Sequence, residues 1–171
     1  MTDNIFSFDS LPPGVAYIDP SFLLNILIEE AKFHKQCVEY KNKLKTKHTV
    51  LFLSNLGLDE IWYVLLKLQT IKEHGSKGWQ KYLNKHPETV KKYADLLSKI
   101  TSVILEIPNL YLIEISAEQS LEALSFIKRY GLLPRDAIHL TATILSDIGN
   151  FITTDKAFNV ITDINIYTCN L

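Results

Sequence analysis

The chain has 171 residues, of which 47% are hydrophobic and 22% charged, with a formal net charge of −1; this is the balance of one globular domain with a substantial core. Its two cysteines, Cys37 and Cys169, form neither a disulfide framework nor a CxxC pair, no apolar run reaches transmembrane length, and the acidic, proline-containing segment Met1–Gly14 does not read as a signal peptide; a reducing cytoplasm is the expected compartment. The small net charge hides a split, because residues 32–99 hold 14 of the 18 Lys and Arg but only 6 of the 19 acids, the pattern of one face attractive to polyanions and another rich in carboxylates.

Residues 1–14 are expected to be a loose lead-in, and residues 15–171 one domain. Val15–Ile18 is a short apolar run of buried-strand type that ends on Asp19-Pro20-Ser21. A helix follows with Phe22, Leu23, Ile26 and Leu27 on one face, then a lysine-rich helix through His34 to Leu44. Thr49–Leu53 is the second expected strand. Ser54 or Asn55 can cap the next helix, which carries Leu58, Ile61, Trp62, Leu65 and Leu66, with Glu60 near its start. His74–Gly78 reads as a turn before a basic, aromatic stretch (Trp79–His86) and a helix from Pro87 to about Glu106. Leu110–Ile115 is a third strand and Ala117–Arg129 a helix ended by Gly131. Pro134 then opens a helix that holds Asp136 in its first turn and is expected to reach Ile148. Phe151–Thr153 and Asn165–Thr168 complete the set of strands. No internal repeat interrupts this order.

Strands separated by helices imply an α/β domain with a largely parallel sheet covered on both faces, and ligands in such sheets bind beyond the carboxyl ends of the strands. Asp19 and Asp155 both stand directly after strands, so both belong at that edge. Each acid also has an ordinary explanation. Asp19 suits an N-cap, and Glu60 suits a solvated helix face that it shares with Asp59. Asp136 complements a helix dipole, and Asp155 caps the turn beginning at Lys156. Together they form a set of oxygen ligands suited to a hard divalent cation such as Mg2+. The five histidines show no HExxH or Cys/His zinc spacing, and no GxGxxG, GxxxxGK[ST] or GxSxG loop is present. His139, three residues after Asp136, reads as a packing or hydrogen-bonding residue.

Asp19-Pro20-Ser21 after a strand, Leu58-Asp59-Glu60-Ile61 early in a helix, Arg135-Asp136-Ala137-Ile138-His139-Leu140 and Thr153-Thr154-Asp155-Lys156-Ala157-Phe158 resemble the pattern of the PIN-domain nucleases over about Val15 to Thr168. The resemblance implies a three-layer α/β/α fold with a largely parallel, five-stranded sheet. It also implies a metal-dependent endoribonuclease of the kind that includes VapC-type toxins. On that pattern Asp19, Glu60, Asp136 and Asp155 are the catalytic and metal-binding acids, Thr153 is a supporting hydroxyl, and Ser21 stands where the family often has Asn or Ser. Mg2+ or Mn2+ is the expected cofactor and RNA the expected substrate. Metal-activated water would be the nucleophile, leaving a 3′-hydroxyl and a 5′-phosphate. A toxin of this kind implies an antitoxin protein that buries the acidic cleft; a homodimer joined through helical surfaces is compatible with the sequence. Two features depart from the pattern. Pro20 replaces the usual Thr or Ser, and the chain is longer than a small toxin. The extra length falls at about residues 67–106, a helical, basic elaboration in which Lys77, Lys81, Lys85, Lys91 and Lys92 are candidate phosphate contacts while Trp79, Tyr82 and Tyr93 pack. The rival expectation is a PIN-like module that binds RNA or protein without cutting.

Overall fold

The computed structural model of the protein describes residues 4–171. They divide into two compact units, one made of residues up to Gly57 together with Pro108–Leu171, the other of Leu58–Ile107.

The first unit is built on a sheet of β1 (Ile5–Ser7), β2 (Val15–Ile18), β3 (Val50–Ser54), β4 (Leu110–Ile113), β5 (Asn150–Ile152) and β6 (Asn165–Thr168). Every pairing is parallel, and the strands lie in the order β1-β6-β5-β2-β3-β4. The sheet thus has six strands where five were expected. The additional strand comes from the start of the chain, within residues 1–14; the first three of those lie outside the described residues. Short and flanked by polar residues, Ile5–Ser7 carries little strand signal by itself. It is held through its register with Ile166–Thr168, and Asn4 Nδ2 donates to the carbonyls of Ile161 at 2.8 Å and Ile164 at 2.7 Å.

Side chains alternate between the two faces of the sheet, as strand geometry requires. On one face Tyr17, Phe151 and Ile166 are buried against Ala123 of α6 (Ala117–Tyr130) and Ala137 and Leu140 of α7 (Pro134–Leu145). On the other, Tyr167 stacks with Tyr40 of α2 (His34–Lys47), and Tyr40 meets Phe22 of α1 (Pro20–Leu27) edge-on. Helices therefore cover both faces, which is why these strands read as continuous apolar runs. α6 ends at Gly131, whose φ of 69° is the left-handed conformation a glycine adopts without cost. α7 stops at Leu145, earlier than the apolar pattern suggested. Asp147 turns left-handed (φ 56°), and the Ile148 amide bonds back to the Thr143 carbonyl at 3.0 Å.

α3 (Asn55–His74) starts in the first unit, where Ser54 Oγ accepts the Gly57 amide at 3.1 Å and so caps the helix. A Cβ on Gly57 would lie 2.5 Å from Leu53 Cδ1, so a side chain there would force the buried Leu53 to shift. The second unit continues α3 and adds α4 (Trp79–Lys85) and α5 (Pro87–Leu105). Its aromatics pack: Trp79 lies against Tyr63 (centroids 5.3 Å apart), Tyr82 is sandwiched between His74 and His86, and Tyr93 is buried. Among the described residues no helix is long and apolar enough to cross a membrane.

Candidate active site

β2, β3 and β4 step outward in one direction, whereas β5 returns to the opposite side of β2. The connections therefore diverge above the carboxyl ends of β2 and β5, the place where open parallel sheets leave a crevice. Ile18 is in register with Ile152, so Asp19 and Thr153, the next residues on each strand, emerge side by side. The Asp19 amide donates to the Ile152 carbonyl at 2.9 Å, which holds the two strand ends together.

Asp19 is 5% exposed and is the N-cap of α1. Pro20 occupies the first helical position, where its missing N–H takes no intrahelical bond from the helix. One carboxylate oxygen, Oδ2, receives three donors: the Ser21 amide at 3.1 Å, the Ser21 hydroxyl, and the Thr153 hydroxyl at 3.0 Å. Among the described residues Oδ1 accepts none of these bonds. The cap explanation for Asp19 is therefore correct and compatible with another role, because it occupies one oxygen and leaves the second.

Ser21 and Thr153 each serve both strand ends. Ser21 Oγ accepts the Thr154 amide at 3.0 Å and lies 3.2 Å from Thr153 Oγ1, which accepts the Asp155 amide at 2.9 Å. The hydroxyl protons point at Asp19 and the lone pairs at the backbone leading to Asp155. Burial pushes the Asp19 carboxyl above its ordinary range, and the charge of His139 with the Ser21 and Thr153 bonds draws it back only in part.

Behind Asp19 lies a buried polar chain. Tyr17 donates its phenol proton to Ser54 Oγ at 2.7 Å and lies 2.6 Å from His139 Nδ1. With the phenol proton on Ser54, the imidazole Nδ1–H donates to the Tyr17 oxygen. His139 is thus fully buried and hydrogen-bonded, as its place on an apolar helix face suggested.

The other expected acids are placed differently. Asp155 is exposed, and its Oδ1 accepts the Ala157 amide at 2.8 Å, capping the short helical turn Lys156–Val160. Asp136 is half-buried in the first turn of α7. Glu60 is half-buried on α3 and belongs to the second unit, as do Lys77, Lys81, Lys85, Lys91 and Lys92, all five exposed. Lys92 is engaged by Glu73 at 2.7 Å. Among the described residues no three His, Cys, Asp or Glu side chains are grouped so as to hold a metal ion.

Three polar residues here carry no signal in the sequence. Asn25 donates to the Ser21 carbonyl at 2.8 Å and to Thr154 Oγ1 at 3.1 Å, and accepts the Phe33 amide at 3.0 Å, bracing α1 against the end of β5. Asn170 Nδ2 donates to the Thr154 carbonyl at 2.8 Å. Tyr17 reads as an ordinary apolar strand residue. A polar side chain on an otherwise apolar run is the only hint any of them offers.

The model of the PIN domain family matches residues 16–164. Three solved structures share the fold. VapC20 of Mycobacterium tuberculosis, described as a sarcin–ricin loop cleaving toxin, is 15% identical, with 84% of this chain and 92% of that one covered and a TM-score of 0.55. VapBC2 of Rickettsia felis, bound to a DNA fragment from its promoter, is 14% identical over 90% of this chain and 98% of that one, with a TM-score of 0.53. A toxin–antitoxin complex from Klebsiella pneumoniae is 19% identical over 87% and 94%, with a TM-score of 0.50. No curated protein sequence matches the chain.

Proposed function

Because the chain belongs to the PIN-domain family, we propose that it is a divalent-metal-dependent endoribonuclease, hydrolysing RNA phosphodiester bonds as the toxin of a toxin–antitoxin pair. The observation that carries this reading is Asp19, a buried carboxylate at the point where the strand connections diverge. Its Oδ2 is held by three donors, and its charge is incompletely offset.

An anion in that state suits a nearby cation, and the donor chemistry suits a hard one. Mg2+ keeps most of its waters and usually takes only one or two carboxylates directly, so it does not require three acids in mutual contact. Asp19 and Asp155 would be direct ligands of Mg2+ or Mn2+, Asp136 would complete the site, and Glu60 would act through water or a second ion. When bound, such an ion polarises the phosphodiester, lowers the pKa of an attacking water and stabilises the departing oxygen. The protein's own part is positional. Ser21 and Thr153 fix Asp19 Oδ2, which orients Oδ1, and the same two hydroxyls set the backbone that carries Asp155. No protein side chain becomes covalently attached to RNA.

The exposed lysines of the second unit are proposed as phosphate contacts, and an antitoxin would insert a basic side chain beside Asp19. The exposed lysines would equally serve one rival, a module that holds RNA without cutting it. Incubation of a mixed RNA pool with Mg2+, Mn2+ or EDTA, followed by end mapping, decides between them. Fragments with 5′-phosphate and 3′-hydroxyl ends, formed with metal and suppressed by EDTA, are expected. Retention of RNA with no cleavage in either metal would establish the binding module instead.

A further inference from the structure

Cys37 lies on α2 with no exposed surface, and Cys169 follows β6 in a half-buried position. Both thiols are free, and the two side chains lie close enough to perturb one another. The surrounding packing keeps them together. Tyr40, one helical turn after Cys37, stacks on Tyr167, two residues before Cys169, with ring centroids 6.5 Å apart.

The two sulfurs differ in accessibility and in charge. A cavity of about 280 Å3 reaches Cys169 and is lined by Gln36, Tyr40, Lys43 and Leu171. The neighbouring Cys37 thiol, a backbone bond and the charge of Lys32 draw the Cys169 thiol below its ordinary range, while Cys169 and burial push Cys37 up. An accessible thiol of lowered pKa beside a buried partner is the arrangement of an attacking and a resolving cysteine. The chain beyond Cys169 is tied to the candidate site, since Asn170 bonds the Thr154 carbonyl and Lys156 Nζ donates to the Leu171 carbonyl at 2.8 Å.

We propose that Cys37 and Cys169 are a redox modification site, closed to an intramolecular disulfide by low-molecular-weight disulfides of the glutathione class, which clamps the C-terminal segment to α2. The Cys169 thiolate attacks one sulfur of the reagent, forming a mixed disulfide and expelling a thiolate that takes a proton from water. Cys37 then gives up its proton to solvent and attacks the Cys169 sulfur, releasing the second small thiol. Two protein thiols are oxidised to one disulfide, and one reagent disulfide is reduced to two thiols.

The test is to expose the full, folded chain to oxidised glutathione, alkylate remaining thiols, and map peptides by mass spectrometry without reduction. A monomer lighter by two hydrogens, with the Cys37 and Cys169 peptides joined, is expected. Cys37→Ala should stop as a glutathione adduct on Cys169, and Cys169→Ser should leave Cys37 unmodified. Amide exchange at residues 168–171 should slow in the oxidised wild type. A stable glutathione adduct on the wild-type chain, a disulfide-linked dimer, or two thiols that survive exposure would overturn the proposal. The wild-type map needs no variant to fold and no RNA cleavage, so it stands or falls separately from the nuclease reading.

Discussion

Thr153 joins the ends of two strands through one oxygen: its hydroxyl donates to Asp19 Oδ2 at 3.0 Å and accepts the Asp155 amide at 2.9 Å. Both partners are lost in Thr153→Val, which keeps the shape of the side chain. A buried carboxylate oxygen then loses a donor and a backbone amide loses its acceptor, each worth about 1 kcal/mol or somewhat more. Urea denaturation should show a loss of about 1–3 kcal/mol, and RNA cleavage should fall with it. Thr153→Ser restores the hydroxyl and should recover most of both. Equal midpoints for the wild type and the valine variant would remove this oxygen from the account.

Asp19 gives a prediction of opposite sign for stability. Its folded pKa is raised by burial, so between its unfolded and folded values the native state binds more protons than the unfolded state. Stability therefore falls as pH rises through that window, and the cost is fully present above it. Asp19→Asn keeps an oxygen for the three donors but carries no charge. It should melt higher than the wild type at neutral pH, with the difference shrinking towards pH values below the unfolded pKa of about 4. RNA cleavage should drop by at least about 10²-fold, the scale of losing one positioned group at a reacting centre. An asparagine variant that melts lower than the wild type at pH 7 contradicts the sign.

What could be read in advance follows from range. Val15–Ile18, Thr49–Leu53 and the helix opened by Pro134 declare themselves within a few residues through apolar runs and caps. The Asp19, Ser21 and Thr153 set could be named because each stands in a short recognisable motif, although the motifs lie far apart. Tyr17 could not. Its partner His139 is 122 positions away, and nothing near Tyr17 distinguishes a phenol bonded to histidine from one packed in a core. The same is true of Asn25, whose contact with Thr154 spans 129 positions. β1 was invisible because its stability lies in its partner β6 and in the two carbonyls bonded by Asn4. The pairing of Cys37 with Cys169 likewise depends on how α2 lies over the end of β6, which no spacing rule contains.

Tyr17→Phe tests the buried chain behind Asp19. The substitution removes one oxygen from between Ser54 and His139, both fully buried. Those two remain 3.4 Å apart, too long for a good replacement bond. A loss of about 1–3 kcal/mol in urea or thermal unfolding is expected, from polar groups left poorly satisfied in the core. An unchanged unfolding midpoint would mean that Ser54 and His139 re-pair once the phenol is gone.

Asp136→Asn separates chemistry from folding. The side chain sits half-buried in the first turn of α7, where a negative charge interacts favourably with the helix terminus. The variant keeps the shape of the side chain and should remain folded by circular dichroism. Cleavage with Mg2+ or Mn2+ should nevertheless fall by at least about 10²-fold. Turnover at the wild-type rate would exclude Asp136 from the reaction.

Lys81 and Lys85 lie one helical turn apart on α4, both exposed, so they present charge in a row along one side of that helix. If they meet consecutive phosphates, replacing both with glutamine removes counterion release without touching the aromatic packing of Trp79 and Tyr82. The slope of log affinity against log salt for single-stranded RNA should become shallower by roughly 0.7 for each lysine removed. The apparent KM should rise at moderate salt while kcat at saturating RNA holds, because neither side chain is proposed to act on the reacting phosphate. A fall in kcat with an unchanged salt slope would assign the pair to something other than binding the RNA backbone.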